Sequence, residues 1–116
     1  MEEALMMKTI QTGVLAVAAV ALLSMPLVAQ AANKHVSEAI EHAKEAVEHG
    51  KKGHADALVK HAEGSLKHAE AAGIKNPHLD EGIKHLKEAI EHGKAGHADV
   101  ATEHAEGAVT HLSEVK

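Results

Sequence analysis

Apolar residues recur at the spacing of an α-helix over most of the chain. Val36, Ile40, Ala43 and Val47 follow the i, i+4, i+7, i+11 rule that places side chains on one helix face. The same rule selects three further sets, so the chain from residue 35 onward predicts four amphipathic helices. The further sets are Leu58, Val59, Ala62, Leu66 and Ala69; Leu79, Ile83, Leu86 and Ile90; and Ala101, Ala105, Ala108, Val109 and Leu112.

Turn signals separate these helices. Gly50 and Gly93 stand where a helix-ending glycine belongs, and Asn76-Pro77 is typical of an N-cap followed by proline in the first turn. The connections at 50–53 and 93–96 are so short that consecutive helices must lie antiparallel. The sequence therefore predicts an all-α fold, an up-and-down four-helix bundle.

The bundle is built from a duplication. Residues 35–68 align with residues 78–111 at an offset of 43, and 20 of the 34 positions are identical. A repeat of this length is typical of a helical pair. We therefore expect two equivalent helical hairpins.

The first 31 residues have the form of a secretory signal peptide. An uncharged apolar run occupies residues 13–29, and Ala29-Gln30-Ala31 offers small residues at a cleavage site. A membrane anchor is the alternative, but Pro26 ends the run short of the ~20 residues that a span needs. Cleavage is expected after Ala31, or after Ala32, which leaves one domain at 32–116 in the periplasm and no membrane association.

Composition narrows the function of this domain. Residues 32–116 contain eleven Lys, no Arg and fifteen acidic residues, with no aromatic residue, so the domain lacks the charge and the stacking groups for nucleic acid. The chain has no Cys, and all its Met residues precede position 32, which excludes soft-metal ligation. No Glu-x-x-His pair of a di-iron bundle and no nucleophile beside a base is present, so we expect no enzyme.

Histidines carry the strongest pattern. Twelve of them are spaced 7, 7, 5, 7, 7, then 10, then 7, 7, 5, 7, 7, and each comes one residue before an apolar-face position, on the flank of the buried stripe. In an antiparallel hairpin, the step of five aligns partners whose numbers sum to 103 in the first half and 189 in the second. Pairing between hairpins is the alternative, because His61 with His85 and His42 with His104 also share a constant sum.

Such pairs suit metal ions. Histidines seven apart on one helix are ~10.5 Å apart along its axis, too far to share an ion, whereas a pair across a seam can converge. Glu45 and Glu88 lie within reach of them, and imidazole with carboxylate suits Cu(II) first, then Ni(II), Zn(II) or Co(II). A pH-sensing seam is the alternative function. The candidate ligands are His35, His42, His49, His54, His61, His68, His78, His85, His92, His97, His104, His111, Glu45 and Glu88.

The chain resembles the periplasmic small metal-binding protein family. The likeness rests on the pattern E-A-I-E-H-x-x-E-A-V/I-E-H-G-K-x-G-H, which both halves follow closely, and spans residues 35–112. The resemblance implies a monomeric four-helix bundle that binds several divalent metals, Cu(II) especially, in the periplasm. It also implies a role in sequestering or buffering metal, with the twelve histidines as ligands and Glu45 and Glu88 as secondary ones.

Overall fold

The computed structural model describes residues 27–116, and these residues form four helices joined by short turns. The helices are α1 (Leu27–Lys51), α2 (Ala55–Ala71), α3 (Pro77–Lys94) and α4 (Ala98–Ser113). Ala31–Lys116 forms one compact unit. Most of the predicted signal peptide, residues 1–26, lies outside the described part of the chain, so the leader stays a prediction.

The predicted helix start at Asn76-Pro77 is confirmed. The Asn76 side chain accepts hydrogen bonds from the backbone N–H groups of His78 (2.8 Å) and Leu79 (3.3 Å). The proline that follows needs no N–H partner at this position. Two donors that a helix start would otherwise leave unpaired are therefore satisfied.

The turns of the two hairpins correct one prediction. Gly50 and Gly93 do not end their helices; both lie inside them and are buried. The left-handed positions are Gly53 (φ 77°) and Gly96 (φ 82°), three residues later. Gly50 is small for a packing reason, because a Cβ there would collide with the side chain of Thr102 on α4. Helix-ending and close-packing glycines look alike in a sequence, and only the neighbouring helix distinguishes them.

The core of the bundle consists mainly of alanine side chains, together with a few leucines. Leu58, Leu79, Leu86 and Leu112 are fully buried. On α1 the most deeply buried positions are Ala39, Ala43 and Ala46, whereas the predicted face residues Ile40 and Val47 are only half-buried. The buried stripe is thus rotated toward small residues, which allows the helices to approach closely.

Adjacent helices meet in two kinds of seam. In the α1–α2 and α3–α4 hairpins the seam carries the histidines, and we call these the histidine seams. The α2–α3 and α4–α1 seams instead form open grooves whose apolar residues are Leu66 with Ile90 and Val47 with Val109. These groove residues correspond under the 43-residue offset, so the duplication extends to the grooves.

The contacts between the helices confirm the predicted all-α fold class. Ser65 of α2 donates a hydrogen bond of 2.6 Å to the backbone oxygen of Ala39 on α1. Gly82 of α3 packs so closely on Leu112 of α4 that an added Cβ would lie 2.8 Å from its side chain. The part of the chain that the structure describes is therefore a four-helix bundle without strands. None of its helices is long and apolar enough to cross a membrane.

Candidate metal centres

The histidines lie on the flanks of the helices, as their spacing predicts. Ten of the twelve are half-buried between two helices, and the other two, His54 and His97, are exposed in the hairpin turns. Neither turn histidine caps its helix through its side chain. All twelve imidazoles thus line the two histidine seams, six in each.

Each ring faces the partner expected from the hairpin sums. The predicted pairing within hairpins is therefore confirmed, and the alternative pairing between hairpins is not what the bundle forms. The distances between ring centroids are 5.6 Å for His35–His68, 5.9 Å for His42–His61, 6.2 Å for His49–His54, 5.8 Å for His78–His111, 5.5 Å for His85–His104 and 6.2 Å for His92–His97.

Diagonal contacts link these pairs, a feature that the sequence reasoning missed. His61 stacks on His49 with centroids 5.0 Å apart and planes at 7°, and His68 stacks on His42 at 5.4 Å. The second hairpin repeats both contacts at the equivalent positions, each at 5.4 Å. Each seam is therefore a continuous zigzag of six imidazoles, which we call the histidine ladder.

Two of the pairs already hold their nitrogens at a metal-binding separation. His85 Nδ1 and His104 Nδ1 are 3.2 Å apart, and His35 Nδ1 and His68 Nδ1 are 3.4 Å apart. With metal–nitrogen bonds of about 2.0–2.1 Å, two ligands at a right or tetrahedral angle lie about 2.9–3.4 Å apart. Both separations lie within this range.

Carboxylates complete some of the pairs. Glu45 lies 3.5 Å from His61 Nδ1, and Glu88 lies 3.6 Å from His104 Nε2, so both predicted glutamates face the opposite histidine of their own seam. Their role as ligands stays a prediction. Glu38 approaches His68 Nε2 at 3.2 Å in the same way.

Within residues 27–116, four groups of three residues bring possible ligand atoms within 4.8 Å of one another. Every group contains two imidazoles and one carboxylate, so each could hold a divalent transition ion. The groups are His42, Glu45 and His61; His78, His111 and Glu114; Glu81, His85 and His111; and His85, Glu88 and His104. The remaining six histidines, His35, His49, His54, His68, His92 and His97, belong to pairs of the ladder but to none of these groups.

Glu81 and Glu114 belong to these groups but are not among the ligands predicted from the sequence. A local signal was present: an acid three residues after a histidine lies on the same helix face one turn on. Glu45 follows His42 in this way, Glu88 follows His85, and Glu114 follows His111. A search for His-x-x-Glu, rather than for Glu-x-x-His, finds all three.

Glycines let the central histidines lie flat against the facing helix. A Cβ on Gly64 would lie 3.4 Å from the His42 ring, and one on Gly107 would lie 3.1 Å from the His85 ring. These two glycines have no cap or turn role, because both lie within helices. They are close-packing points of the histidine seams.

Several ring nitrogens in the seams lack a protein partner. The Nδ1 atoms of His42, His49 and His111 are buried and make no hydrogen bond within the described residues. A buried nitrogen left without a partner is unfavourable, and a metal ion is one group that satisfies it. Two of these rings, His42 and His111, belong to the three-residue groups. The donor set therefore fits a metal ion in its chemistry as well as in its spacing.

A comparison with protein families supplies the deciding observation. The family model for the small metal-binding protein matches residues 7–115 of the chain. The chain belongs to the small metal-binding protein family. A comparison with curated individual proteins gives no match.

Family membership and geometry agree on metal binding. The small metal-binding protein family is named for that activity, and the bundle places imidazole and carboxylate groups where they could hold ions. The description of the family is that of a metal-binding protein and not that of an enzyme. The resemblance seen in the sequence is thus confirmed at the level of the family and the fold.

Proposed function

We propose that this protein binds several divalent transition-metal ions along its two histidine ladders, prefers Cu(II), and buffers or sequesters these ions after export. The observation that carries the proposal is the repeated group of two imidazoles and one carboxylate across each histidine seam. A single such group is common on protein surfaces. Its repetition at equivalent positions of a duplicated hairpin is not expected of unselected surface charges.

The ligand chemistry supports copper as the preferred ion. Residues 32–116 offer imidazole nitrogens and carboxylate oxygens but no sulfur. Among divalent ions at nitrogen and oxygen sites, affinity rises toward Cu(II) and falls again at Zn(II). Ni(II), Zn(II) and Co(II) are the competing cargo.

The arrangement of the sites supports buffering rather than catalysis. The ladder histidines are half-buried or exposed on the flanks of the helices, so their sites lie outside the alanine core. Each group leaves coordination positions open, which permits exchange of ions. Many similar and accessible sites give capacity, which is what a buffer requires.

Export and a monomeric state complete the proposal. The support for export is the signal-peptide pattern at residues 1–31, which predicts cleavage after Ala31 or Ala32. N-terminal sequencing of the protein recovered from the periplasm should begin at Ala32 or Asn33. An uncleaved leader, or recovery from the cytoplasm alone, would contradict export. Size-exclusion chromatography should give the mass of one chain.

A copper titration tests the binding itself. Addition of Cu(II) to the purified protein at pH 7.5 should produce a saturable d–d absorption band, and native mass spectrometry should show several ions per chain. Competition with Zn(II) and Ni(II) should leave copper bound. The matched variant replaces the central histidines His42, His61, His85 and His104 by Asn, and it should lose most of the tightly bound copper.

The same titration separates metal binding from the pH-switch alternative. A seam that only titrates protons would give no saturable band, and its stability would change with pH equally in the presence and absence of metal. That outcome would overturn the proposal.

A further inference from the structure

The two hairpins differ in charge at the position three residues after the last histidine of each ladder. Glu114 follows His111 by three residues, and the equivalent residue after His68 is Ala71. The flanking positions match: the residue after each is apolar and packs inward, Ala72 in the first half and Val115 in the second. The two hairpins therefore have similar surroundings at this position, and the local difference is a carboxylate at Glu114 against a methyl group at Ala71.

In the second hairpin Glu114 completes a three-residue group at the end of the ladder. Its carboxylate lies 3.0 Å from His78 Nδ1, the shortest of the histidine–carboxylate contacts in the described residues. His111 faces His78 across the seam, and one ligand atom from each of the three lies within 4.8 Å of the others. The side chains of His78 and Glu114 are 46% and 51% exposed, so both can turn toward an ion without disturbing the core.

The corresponding end of the first hairpin holds only a pair. His35 Nδ1 faces His68 Nδ1 at 3.4 Å, but the nearest carboxylate, Glu38, contacts the other nitrogen of His68. Among residues 27–116, no group of three like those above forms around this pair. The α1–α2 hairpin thus has one three-residue group, the central one.

The three groups in the second hairpin overlap, which limits how many ions they hold. The group of Glu81, His85 and His111 shares a ring with each of its neighbours. The end group with Glu114 and the central group with Glu88 share none. Two ions can therefore be held at once by separate sets of three ligands.

We propose that the α3–α4 hairpin holds two tightly bound divalent ions and the α1–α2 hairpin holds one, with His78, His111 and Glu114 forming the additional site. The ion is a divalent transition metal that prefers nitrogen and oxygen ligands. This proposal rests on the proposed function, and it adds that the duplicated halves are unequal in capacity. Pairs without a carboxylate bind more weakly, because they offer two ligands rather than three.

The first experiment removes the carboxylate. After Cu(II) loading and exchange against a moderate chelator that strips two-ligand sites, native mass spectrometry of the full chain should retain three ions. Glu114→Gln should retain two, because the amide keeps the shape but lacks the anionic oxygen. Glu106→Gln is the matched control, since it makes the same change on the same helix but faces the α4–α1 groove, and it should retain three.

The second experiment transfers the site. Ala71→Glu places a carboxylate at the equivalent position of the first hairpin and should raise the retained count by one. Ala71→Gln is the control and should leave the count unchanged. Circular dichroism should show unaltered helix content for every variant, because residue 71 is exposed at the end of α2, residue 114 directly follows α4, and residue 106 is exposed on α4.

The outcomes separate this proposal from the proposed function. A chain that retains no copper before any substitution would overturn the proposed function. A chain that retains copper but loses none in Glu114→Gln would overturn the additional site alone. If Glu114→Gln loses an ion but Ala71→Glu gains none, the claim that residue 71 accounts for the difference between hairpins is wrong.

Discussion

At the scale of the residue, each histidine on a helix flank offers two ring nitrogens. The neighbouring side chains decide what these nitrogens can bind. His42 faces His61 across the seam, with centroids 5.9 Å apart, and Glu45 approaches the same ring at 3.5 Å. If one ion bridges these ligands, removal of either histidine abolishes most of the site. We therefore expect His42→Ala and His61→Ala each to lose the same ion, and the double variant to lose little more.

The control for this double-mutant cycle combines substitutions of two histidines from different hairpins. His61→Ala and His85→Ala remove ligands of separate groups, so their losses of Cu(II) affinity, measured by calorimetric titration, should add. Additive losses for His42 with His61, or coupled losses for His61 with His85, would contradict bridging within the hairpin.

Single glycines also set the position of the central histidine rings, those of His42 and His85. An alanine at Gly107 would bring its Cβ to 3.1 Å from the His85 ring, tighter than ordinary contact, whereas at Gly64 the distance to the His42 ring is 3.4 Å. Gly107→Ala should therefore displace His85 and weaken copper binding by the central group of the second hairpin. Gly64→Ala should leave its own group nearly unchanged.

Each glycine variant is best measured after the central group of the other hairpin has been removed. Gly107→Ala belongs in a His42→Ala background and Gly64→Ala in a His85→Ala background, so that one central group remains in each protein. Equal losses of affinity in the two backgrounds would show that the rings adapt, against the expectation.

At the scale of the element, the hairpin turns hold the ladder in register. Gly53 adopts φ 77° and has no neighbour near the place where a Cβ would stand, so substitution there tests the backbone alone. Gly53→Ala should lower the free energy of unfolding by about 1–2 kcal/mol, because an L side chain disfavours the left-handed region. Urea unfolding followed by circular dichroism measures this loss.

Asparagine tolerates the left-handed conformation better than alanine, so Gly53→Asn should lose less stability than Gly53→Ala. An equal loss in both variants would place the cause outside the backbone conformation of the turn.

At the scale of the whole molecule, metal binding should stabilise the bundle. The core is mostly alanine, which buries little apolar surface per residue, and every ladder site joins two helices. One site at a hundredfold excess of free ion over Kd adds about 2.7 kcal/mol to the free energy of unfolding. Cu(II) at pH 7.5 should therefore raise the thermal midpoint, as measured by calorimetry.

This gain should disappear in acid, because a protonated imidazole no longer binds metal. A midpoint that Cu(II) leaves unmoved at pH 7.5 would indicate loose surface binding without bridges between helices. Mg(II), which prefers oxygen ligands, is the control ion and should have no effect.

The sequence by itself determined the helices, their antiparallel order and the register of the histidines. Heptad spacing places His35, His42 and His49 on one flank, and the step of five to His54 carries the register through the turn. Periodicity is a local property of the chain, so it can be read without knowledge of distant contacts. The confirmed pairs within both hairpins agree with this register, and the structure chose them over the pairs between hairpins.

Tertiary structure alone decided which residues complete the three-residue groups of imidazoles and carboxylates. It also decided which glycines allow neighbouring helices to pack closely. The diagonal stacks and the contact of Glu114 with His78 depend on how far one helix slides along the next and how close their axes lie. Gly50 is likewise explained by its neighbours in space, because a Cβ there would meet the side chains of Thr102 and Leu58. Such contacts depend on the positions of several helices at once, so the local His-x-x-Glu pattern indicates candidate carboxylates without deciding which of them complete a group.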